Sequence, residues 1–180
     1  NLCQGRLEVE AYNLMDYNAI TLGNHEFDYG IDTLAARISE MQFPVICANY
    51  DFGSTPLASK VKPYTIIEQN NWRIGIIGVS VNPEGLILQS NIEGITYNDP
   101  IECVNHYANI LRNKQSCDLI IVLSHLGLHD DTIFNNVSDS ALIANTTNID
   151  LLLGGHTHQY NGVFHFTNII FRFFLSIFLF

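Results

Sequence analysis

The stretch TLGNHEFDYG, residues 21–30, places an Asn, a His, a Glu and an Asp within five positions, directly after an apolar run and a glycine. The apolar run, residues 19–22, is typical of a buried strand, and the glycine permits a sharp turn after it. The polar side chains therefore lie in the loop where a strand ends. An amide, an imidazole and a carboxylate crowded into one turn indicate a site that binds a metal ion or moves a proton.

Length and composition limit the classes of protein to consider. The chain has 180 residues, of which 47% are hydrophobic, so we expect one globular domain with a sizeable core. Eight Lys and Arg residues against 18 Asp and Glu give a net charge of -10. This charge opposes binding to a nucleic-acid polymer or to an anionic membrane surface. An anionic substrate would need local help, such as metal ions. The four cysteines show no CxxC spacing and leave the redox compartment open.

Short apolar runs alternate with amphipathic helical patterns, which predicts an α/β fold built largely from βαβ units. Residues 64–79 instead predict a hairpin with Asn70 and Asn71 in its turn. A helix is expected over residues 31–41, and another begins after Asp99, which can cap it. The predicted strands are residues 19–22, 45–49, 64–68, 73–79, 118–124 and 150–153.

Three short polar motifs each follow a predicted strand: GNHEFD at residues 23–28, SHLG at 124–127 and GGHTH at 154–158. Because the carboxyl ends of parallel strands meet at one edge of a sheet, we expect these loops to converge there. Ser124 is not expected to act as a nucleophile with His125, since adjacent strand residues point to opposite faces. The convergence assembles N and O donors suited to a divalent transition metal. The candidate residues are Asn24, His25, Asp28, His125, His156 and His158.

In this order, the three motifs resemble those of the calcineurin-like metallophosphoesterases, and within them the 5'-nucleotidases and related secreted nucleotide hydrolases. The resemblance runs from about Gly5 to His158. It implies an α/β fold, a sandwich of two mixed β-sheets flanked by α-helices, with a two-metal centre at the strand ends. We expect the fold to be truncated, with residues 1–159 forming a partial metallophosphoesterase catalytic domain.

The roles of the family's residues carry over to the matching positions. Asn24 would supply its amide oxygen to one metal ion, and His125 and His156 would supply ring nitrogens to the same ion. His158 would bind the second ion. His25 would face the substrate phosphate, and Asp28, three residues on, would hold and polarise its ring.

The cofactors implied by the resemblance are two divalent metal ions, either Zn, Mn, Fe or Co, because N and O ligands of this kind accept all four. Two ions about 3.5–4 Å apart can clamp a phosphate and activate a bridging water as the nucleophile. An imidazolium at His25, oriented by Asp28, can stabilise or protonate the departing ester oxygen.

The activity implied by the resemblance is metal-dependent hydrolysis of phosphate monoesters, above all nucleoside 5'-monophosphates. The substrate is thus a small-molecule phosphoester or nucleotide. Cyclic-nucleotide phosphodiesterases and nucleotide diphosphate hydrolases share the metal core and stay open as alternatives. An alternative of another class is an inactive truncated fragment or a metal-binding module. The resemblance alone implies an extracellular or cell-surface location, since the chain shows no targeting signal.

The residues before Asn24 depart from the family pattern. The family has an Asp-x-His pair and a bridging Asp ahead of its GNH motif, and this chain has neither. The acidic residues there are Glu8, Glu10 and Asp16, all within a helical pattern, and we assign none of them as the bridging ligand. One metal site then lacks a ligand and the other keeps only His158. We expect that the 180 residues alone do not hold a working binuclear centre.

The hydrophobic tail, residues 160–180, also departs from the pattern and is not assigned to a domain. It contains the sequence VFHFTNIIFRFFLSIFLF. A membrane segment is one interpretation, although the run is shorter than the ~20 residues needed and Arg172 near its middle adds about 2.5–3.5 kcal/mol. Sequence unrelated to the fold, from a truncated or misjoined reading frame, is the interpretation we favour. Membrane association stays open.

Overall fold

A computed structural model describes residues 3–129 and 137–158 of the chain, together with the backbone of two strands at 163–166 and 169–173. The rest of the hydrophobic tail lies outside the described residues. The described helices are α1 (Arg6–Leu14), α2 (Gly30–Glu40), α3 (Pro100–Asn113) and α4 (Asp139–Asn145). The described strands are β1 (Ile20–Thr21), β2 (Val45–Ile46), β3 (Tyr50–Asp51), β4 (Val61–Lys62), β5 (Tyr64–Gln69), β6 (Trp72–Ser80), β7 (Thr96–Tyr97), β8 (Leu119–His125), β9 (Leu151–Gly154), β10 (Val163–Phe166) and β11 (Ile169–Phe173).

The larger sheet has six strands in the order β10-β11-β9-β8-β6-β5. β6, β8, β9 and β11 run parallel, while β5 and β10 run antiparallel to their neighbours at the two edges. β5 and β6 form the predicted hairpin, and Asn70 and Asn71 in its turn have φ angles of 51° and 66°. Asn tolerates this left-handed backbone, which two-residue hairpin turns require.

The smaller sheet consists of β1, β2 and β4, all parallel, and it meets the larger sheet at β6. After β2 the chain leaves β4 and joins β6, where the Ala48 amide donates to the Gly78 carbonyl at 2.7 Å. The buried Asn49 side chain then accepts from the Ser80 amide and donates to the Ser80 carbonyl. This junction places β1 beside β6 and β8. β3 pairs with β7 in a separate two-stranded sheet.

One hydrophobic core lies between the larger sheet and helices α3 and α4. The Asp99 carboxylate caps α3 by accepting from the amides of Ile101 and Glu102 at 2.7 and 3.1 Å. The capped helix packs its apolar stripe on β6 and β8. Burying each such side chain contributes about 1.5–3 kcal/mol. Completely buried members of this core are Ile77, Val79, Val104, Ala108, Leu111, Ile120, Val122, Leu142 and Leu152.

A second core surrounds the smaller sheet and α2. Leu34, Ala35 and Ile38 form the apolar stripe of α2 that faces it. Phe27 is completely buried in the same core, next to the turn that carries Asn24 and His25. The GNHEFD motif is therefore anchored to the fold by its own phenylalanine.

The structure confirms the α/β fold of two sheets flanked by helices; among the described strands the larger sheet is mixed and the smaller one is parallel. All six predicted strands are present, and all except β2 lie close to their expected bounds. β2 is shorter than predicted because the chain changes its pairing partner from β4 to β6 after Cys47, whose amide still donates to the Lys62 carbonyl. Periodicity does not predict β3, β4, β7 or the short helix α4.

Two strands fall within the hydrophobic tail. The backbones of β10 and β11 pair antiparallel, and β11 runs parallel to β9 with Ile170 opposite Leu151. The division of the chain at residue 160 stays a prediction. Among the described residues, no helix is both long and apolar enough to cross a membrane.

Gly78 lies where β6 passes closest to the smaller sheet, and its replacement tests the junction. A Cβ there would lie 2.4 Å from the Ile46 carbonyl oxygen and 2.7 Å from Thr21 Oγ1. Because backbone atoms yield little, we expect Gly78→Ala to lower the free energy of unfolding by about 3 kcal/mol, measured by urea denaturation. Gly75→Ala in the same strand is the control and should cost less, since its Cβ would meet side-chain atoms of Leu111 and no backbone atom. Equal losses for both variants would contradict the account.

Candidate metal centre

Three loops from distant parts of the chain meet at the carboxyl ends of β1, β8 and β9. Asn24 follows β1, His125 ends β8, and His156 follows β9. Nε2 of His125 lies 3.1 Å from Asn24 Oδ1 and 3.3 Å from His156 Nδ1. The structure therefore brings one amide oxygen and two imidazole nitrogens into a cluster, which we call the donor cluster.

Two glycines make room for the donor cluster. A Cβ on Gly23 would lie 2.7 Å from both Cε1 and Nε2 of His125. A Cβ on Gly127 would lie 2.9 Å from Thr157 Cγ2, and the φ of 92° at Gly127 is one that other residues rarely adopt. The glycines of GNHEFD and SHLG are thus needed for the three loops to approach one another.

His125 is held as a neutral imidazole. Its side chain is buried, and this burial lowers its pKa to about 3, with smaller contributions from charge on His156, His25 and His158. A ring nitrogen must be unprotonated to bind a metal. The environment of His125 therefore keeps it in the form that a metal ion requires at neutral pH.

The donor cluster fits one divalent transition-metal ion, because its three N and O donors already lie side by side. For a second ion, the described residues offer His158, which is exposed and has a φ of 51°. In this part of the chain, no group of three or more His, Cys, Asp or Glu side chains could hold a metal ion by itself. The two-ion centre implied by the resemblance is thus only partly supplied by the described residues.

His25 and Asp28 form a pair beside the donor cluster. His25 begins a short 3₁₀ turn, His25–Phe27, and its Nδ1 lies 3.1 and 3.4 Å from the two carboxylate oxygens of Asp28. The two side chains are 58% and 46% exposed. Since the carboxylate holds Nδ1, the other ring nitrogen is left to face an incoming group.

Glu26 has a structural role that the sequence analysis does not assign. Its buried carboxylate accepts the Gly23 amide at 2.6 Å, which closes the turn that carries Asn24. Burial raises the pKa of Glu26 to about 7, although the bond from Gly23 lowers it. A glutamate that reaches back three residues is typical of a capping box, so this spacing could have identified the contact.

A buried pair supports the loop after β8. The Ser124 hydroxyl donates to the Asp139 carboxylate at the start of α4, and the Asp139 amide donates to the Gly127 carbonyl at 2.7 Å. Burial raises the pKa of Asp139 to about 7, and the Ser124 hydroxyl partly offsets this. Through these two contacts α4 holds the SHLG loop in place. The adjacent residues Ser124 and His125 have different partners, Asp139 and Asn24 respectively. No spacing in the sequence indicates the contact between Ser124 and Asp139.

The chain is similar to known proteins in sequence and in fold. A family model described as "Calcineurin-like phosphoesterase" matches residues 4–160. An apyrase from Tabanus yao is 32% identical over 160 residues, which are 87% of this chain and 27% of the apyrase. A 5'-nucleotidase from Diplobatis ommata is 30% identical over 164 residues, which are 89% of this chain and 27% of that protein.

A solved structure shows the same fold. The NAD nucleotidase of Haemophilus influenzae matches with a TM-score of 0.74 and 28% identity, over 89% of this chain and 27% of that one. The chain therefore spans about a quarter of the length of the proteins it matches.

The raised pKa of Asp139 predicts how stability depends on pH. The folded chain keeps a proton on this carboxyl up to about pH 7, whereas the unfolded chain releases it near 3.8. Between these values the unfolded state binds fewer protons, so the stabilising contribution is complete below pH 3.8 and is lost as the pH rises to about 7. Asp139→Asn removes this titration. The stability of wild type minus that of the variant should fall by about 1 kcal/mol per pH unit over this range.

Urea denaturation at several pH values measures that difference. Glu93→Gln, a charge change on an exposed side chain, is the control and should leave the slope unchanged. Parallel curves for wild type and Asp139→Asn would show that Asp139 is ionised in the folded chain.

Gly23→Ala tests whether the close approach of the loops matters for metal binding. The added methyl would displace the His125 ring from Asn24, so affinity for Zn²⁺ or Mn²⁺ should fall by about 10-fold or more, measured by isothermal titration calorimetry. Gly75→Ala, the same substitution outside the donor cluster, should bind as wild type does. Unchanged affinity in Gly23→Ala would exclude the donor cluster as the metal site.

Proposed function

The chain belongs to the calcineurin-like phosphoesterase family, and on that premise we propose that it is part of a metal-dependent hydrolase of nucleoside 5'-monophosphates or related esters. The observation that carries the proposal is the contact of Asn24 Oδ1 and His156 Nδ1 with His125 Nε2. These atoms would hold one divalent ion, Zn, Mn, Fe or Co, and His158 would bind a second. When bound, such ions polarise a phosphoryl oxygen and lower the pKa of a coordinated water.

His25 and Asp28 would supply the proton that the leaving oxygen needs. His25 lies outside the donor cluster, exposed to an incoming substrate, and Asp28 holds its Nδ1. The Nε2 of His25 would stabilise or protonate the ester oxygen as it leaves phosphorus. The Asp28 carboxylate orients the ring so that this nitrogen faces outward.

The net charge of the chain supports a role for bound metal ions in attracting the substrate. With a net charge of -10, the chain would repel a phosphate unless bound cations attracted it. The relatives are named an apyrase and a 5'-nucleotidase, names that indicate nucleotide substrates for those proteins. We extend this substrate class to the protein that contains this chain. Cyclic nucleotides and nucleotide diphosphates belong in the same assay as competing substrates. An extracellular or cell-surface location is part of the proposal.

A second candidate is a metal-binding module without catalytic activity. The observation that favours it is the weak provision for a second ion, since the described residues offer the exposed His158 and no group of three or more His, Cys, Asp or Glu side chains that could hold a metal ion. Such a module would bind one ion at the donor cluster and hydrolyse no ester.

His25→Ala separates the two candidates. If the purified chain supplied with Mn²⁺, Zn²⁺ or Co²⁺ hydrolyses an alkyl phosphate, followed by phosphate release, the variant should lose roughly 10²–10⁴-fold in rate while its metal affinity stays unchanged. His106→Ala, the same change on an exposed histidine of α3, is the control and should retain the activity. Metal binding without hydrolysis by the wild type would favour the module instead. Hydrolysis that survives in His25→Ala would contradict the role of His25.

A further inference from the structure

Asn91 connects a distant turn to the backbone of the His25–Asp28 pair. It lies in a short 3₁₀ turn, Gln89–Asn91, more than sixty residues further along the chain. Its side-chain Nδ2 donates to the carbonyl oxygens of Phe27 at 2.9 Å and of Asp28 at 3.0 Å. One side-chain amide nitrogen thus contacts the carbonyl oxygens of two consecutive residues of the GNHEFD motif.

These two hydrogen bonds add to those that hold the His25–Phe27 turn together. The amides of Phe27 and Asp28 donate back to the carbonyls of Asn24 and His25 at 3.3 and 3.2 Å. Asn91 holds the carbonyls of the same two residues from outside the turn. The backbone at Phe27 and Asp28 is therefore restrained on both its donor and its acceptor sides.

The turn that carries Asn91 is held next to the GNHEFD motif by its own hydrogen bonds and by packing. The backbone amide of Asn91 donates to the Leu88 carbonyl at 2.8 Å, and the Ser90 hydroxyl lies 3.4 Å from the side-chain oxygen Oδ1 of Asn91. The next residue, Ile92, is buried in the same hydrophobic core as Phe27. The turn at Gln89–Asn91 and the GNHEFD motif are thus packed side by side, and the side-chain amide of Asn91 is oriented before any ligand binds.

We infer that Asn91 is a positioning residue that fixes the Asp28 carboxylate against Nδ1 of His25. The contact between His25 and Asp28 joins two half-exposed side chains, and such contacts hold a geometry weakly by themselves. With its backbone fixed by Asn91, the position of the Asp28 carboxylate depends only on its two side-chain torsions. Nothing in this step requires Asn91 to touch substrate. The effect of Asn91 on kcat rests on the proposed function, whereas its effect on the His25 tautomer does not.

The structural test is the tautomer of the neutral His25 ring in the metal-free chain. Because Asp28 accepts at Nδ1, long-range ¹H–¹⁵N NMR of the wild type should show the proton on Nδ1. In Asn91→Ala the Asp28 backbone is released, and the His25 signals should move toward a mixture of both tautomers. Gln89→Ala, an exposed position in the same turn, is the control and should leave them unchanged.

Asn91 could instead serve only to join two segments of the fold. In that case Asn91→Ala would lower the melting temperature and leave the His25 tautomer as in wild type, which would overturn the inference. A wild-type ring protonated only on Nε2 would overturn it as well.

Wild-type NMR and a second variant keep the test decisive if Asn91→Ala does not fold. Asn91→Leu keeps the approximate size of the side chain and loses both donors without adding a charge, so it should give the same tautomer mixture. In the wild type, both Nδ2 hydrogens of Asn91 should exchange slowly with solvent. Rapid exchange of these hydrogens would remove the basis of the inference.

The kinetic test uses the hydrolase activity, where the chain shows it. Asn91→Ala should lower kcat by about 10-fold for an alkyl phosphate, whose leaving oxygen needs the His25 proton, with KM unchanged. The loss should be smaller for a nitrophenyl phosphate, whose leaving group needs no proton. Equal losses for both esters would contradict a role through His25. If the chain hydrolyses no ester at all, the proposed function fails, and the tautomer still decides the role of Asn91.

Discussion

The burial of one imidazole between two loops is the constraint on which the rest of the site depends. His125 loses its contact with water at the end of β8, and its Nε2 must find partners because an unsatisfied buried polar group costs about 1–3 kcal/mol. Asn24 and His156 provide them at 3.1 and 3.3 Å. They can do so only because Gly23 carries no side chain where the ring lies. Three neutral donors held this close form an arrangement that a bound cation would stabilise further.

The groups around His125 form an inner and an outer layer. The inner layer is buried: Phe27 anchors one loop in the core, and Ser124 and Asp139 fix another from behind. The outer layer, His25 and Asp28, is half exposed and is restrained through its backbone. This order suits the proposed chemistry, in which the metal ligands must stay rigid while the group that handles the proton must remain open to substrate.

The parts of the fold and site that depend on local pattern could be predicted from the sequence. Apolar runs indicated the strands, and the polar motifs after them indicated which loops converge. The parts that depend on distant contacts could not be predicted. Asn91 looks like any turn residue until its partners at residues 27 and 28 are known. Asp139 looks like a solvated charge until α4 places it beneath Ser124. Strands of two residues, such as β3 and β7, carry no periodicity to detect.

Anomalous diffraction from crystals of the Zn²⁺-loaded chain tests the central claim most directly, because it locates the ion without reference to activity. The account predicts an anomalous peak bonded to Asn24 Oδ1, His125 Nε2 and His156 Nδ1 together. A peak bonded to none of these atoms, with the three side chains still in contact with one another, would contradict it.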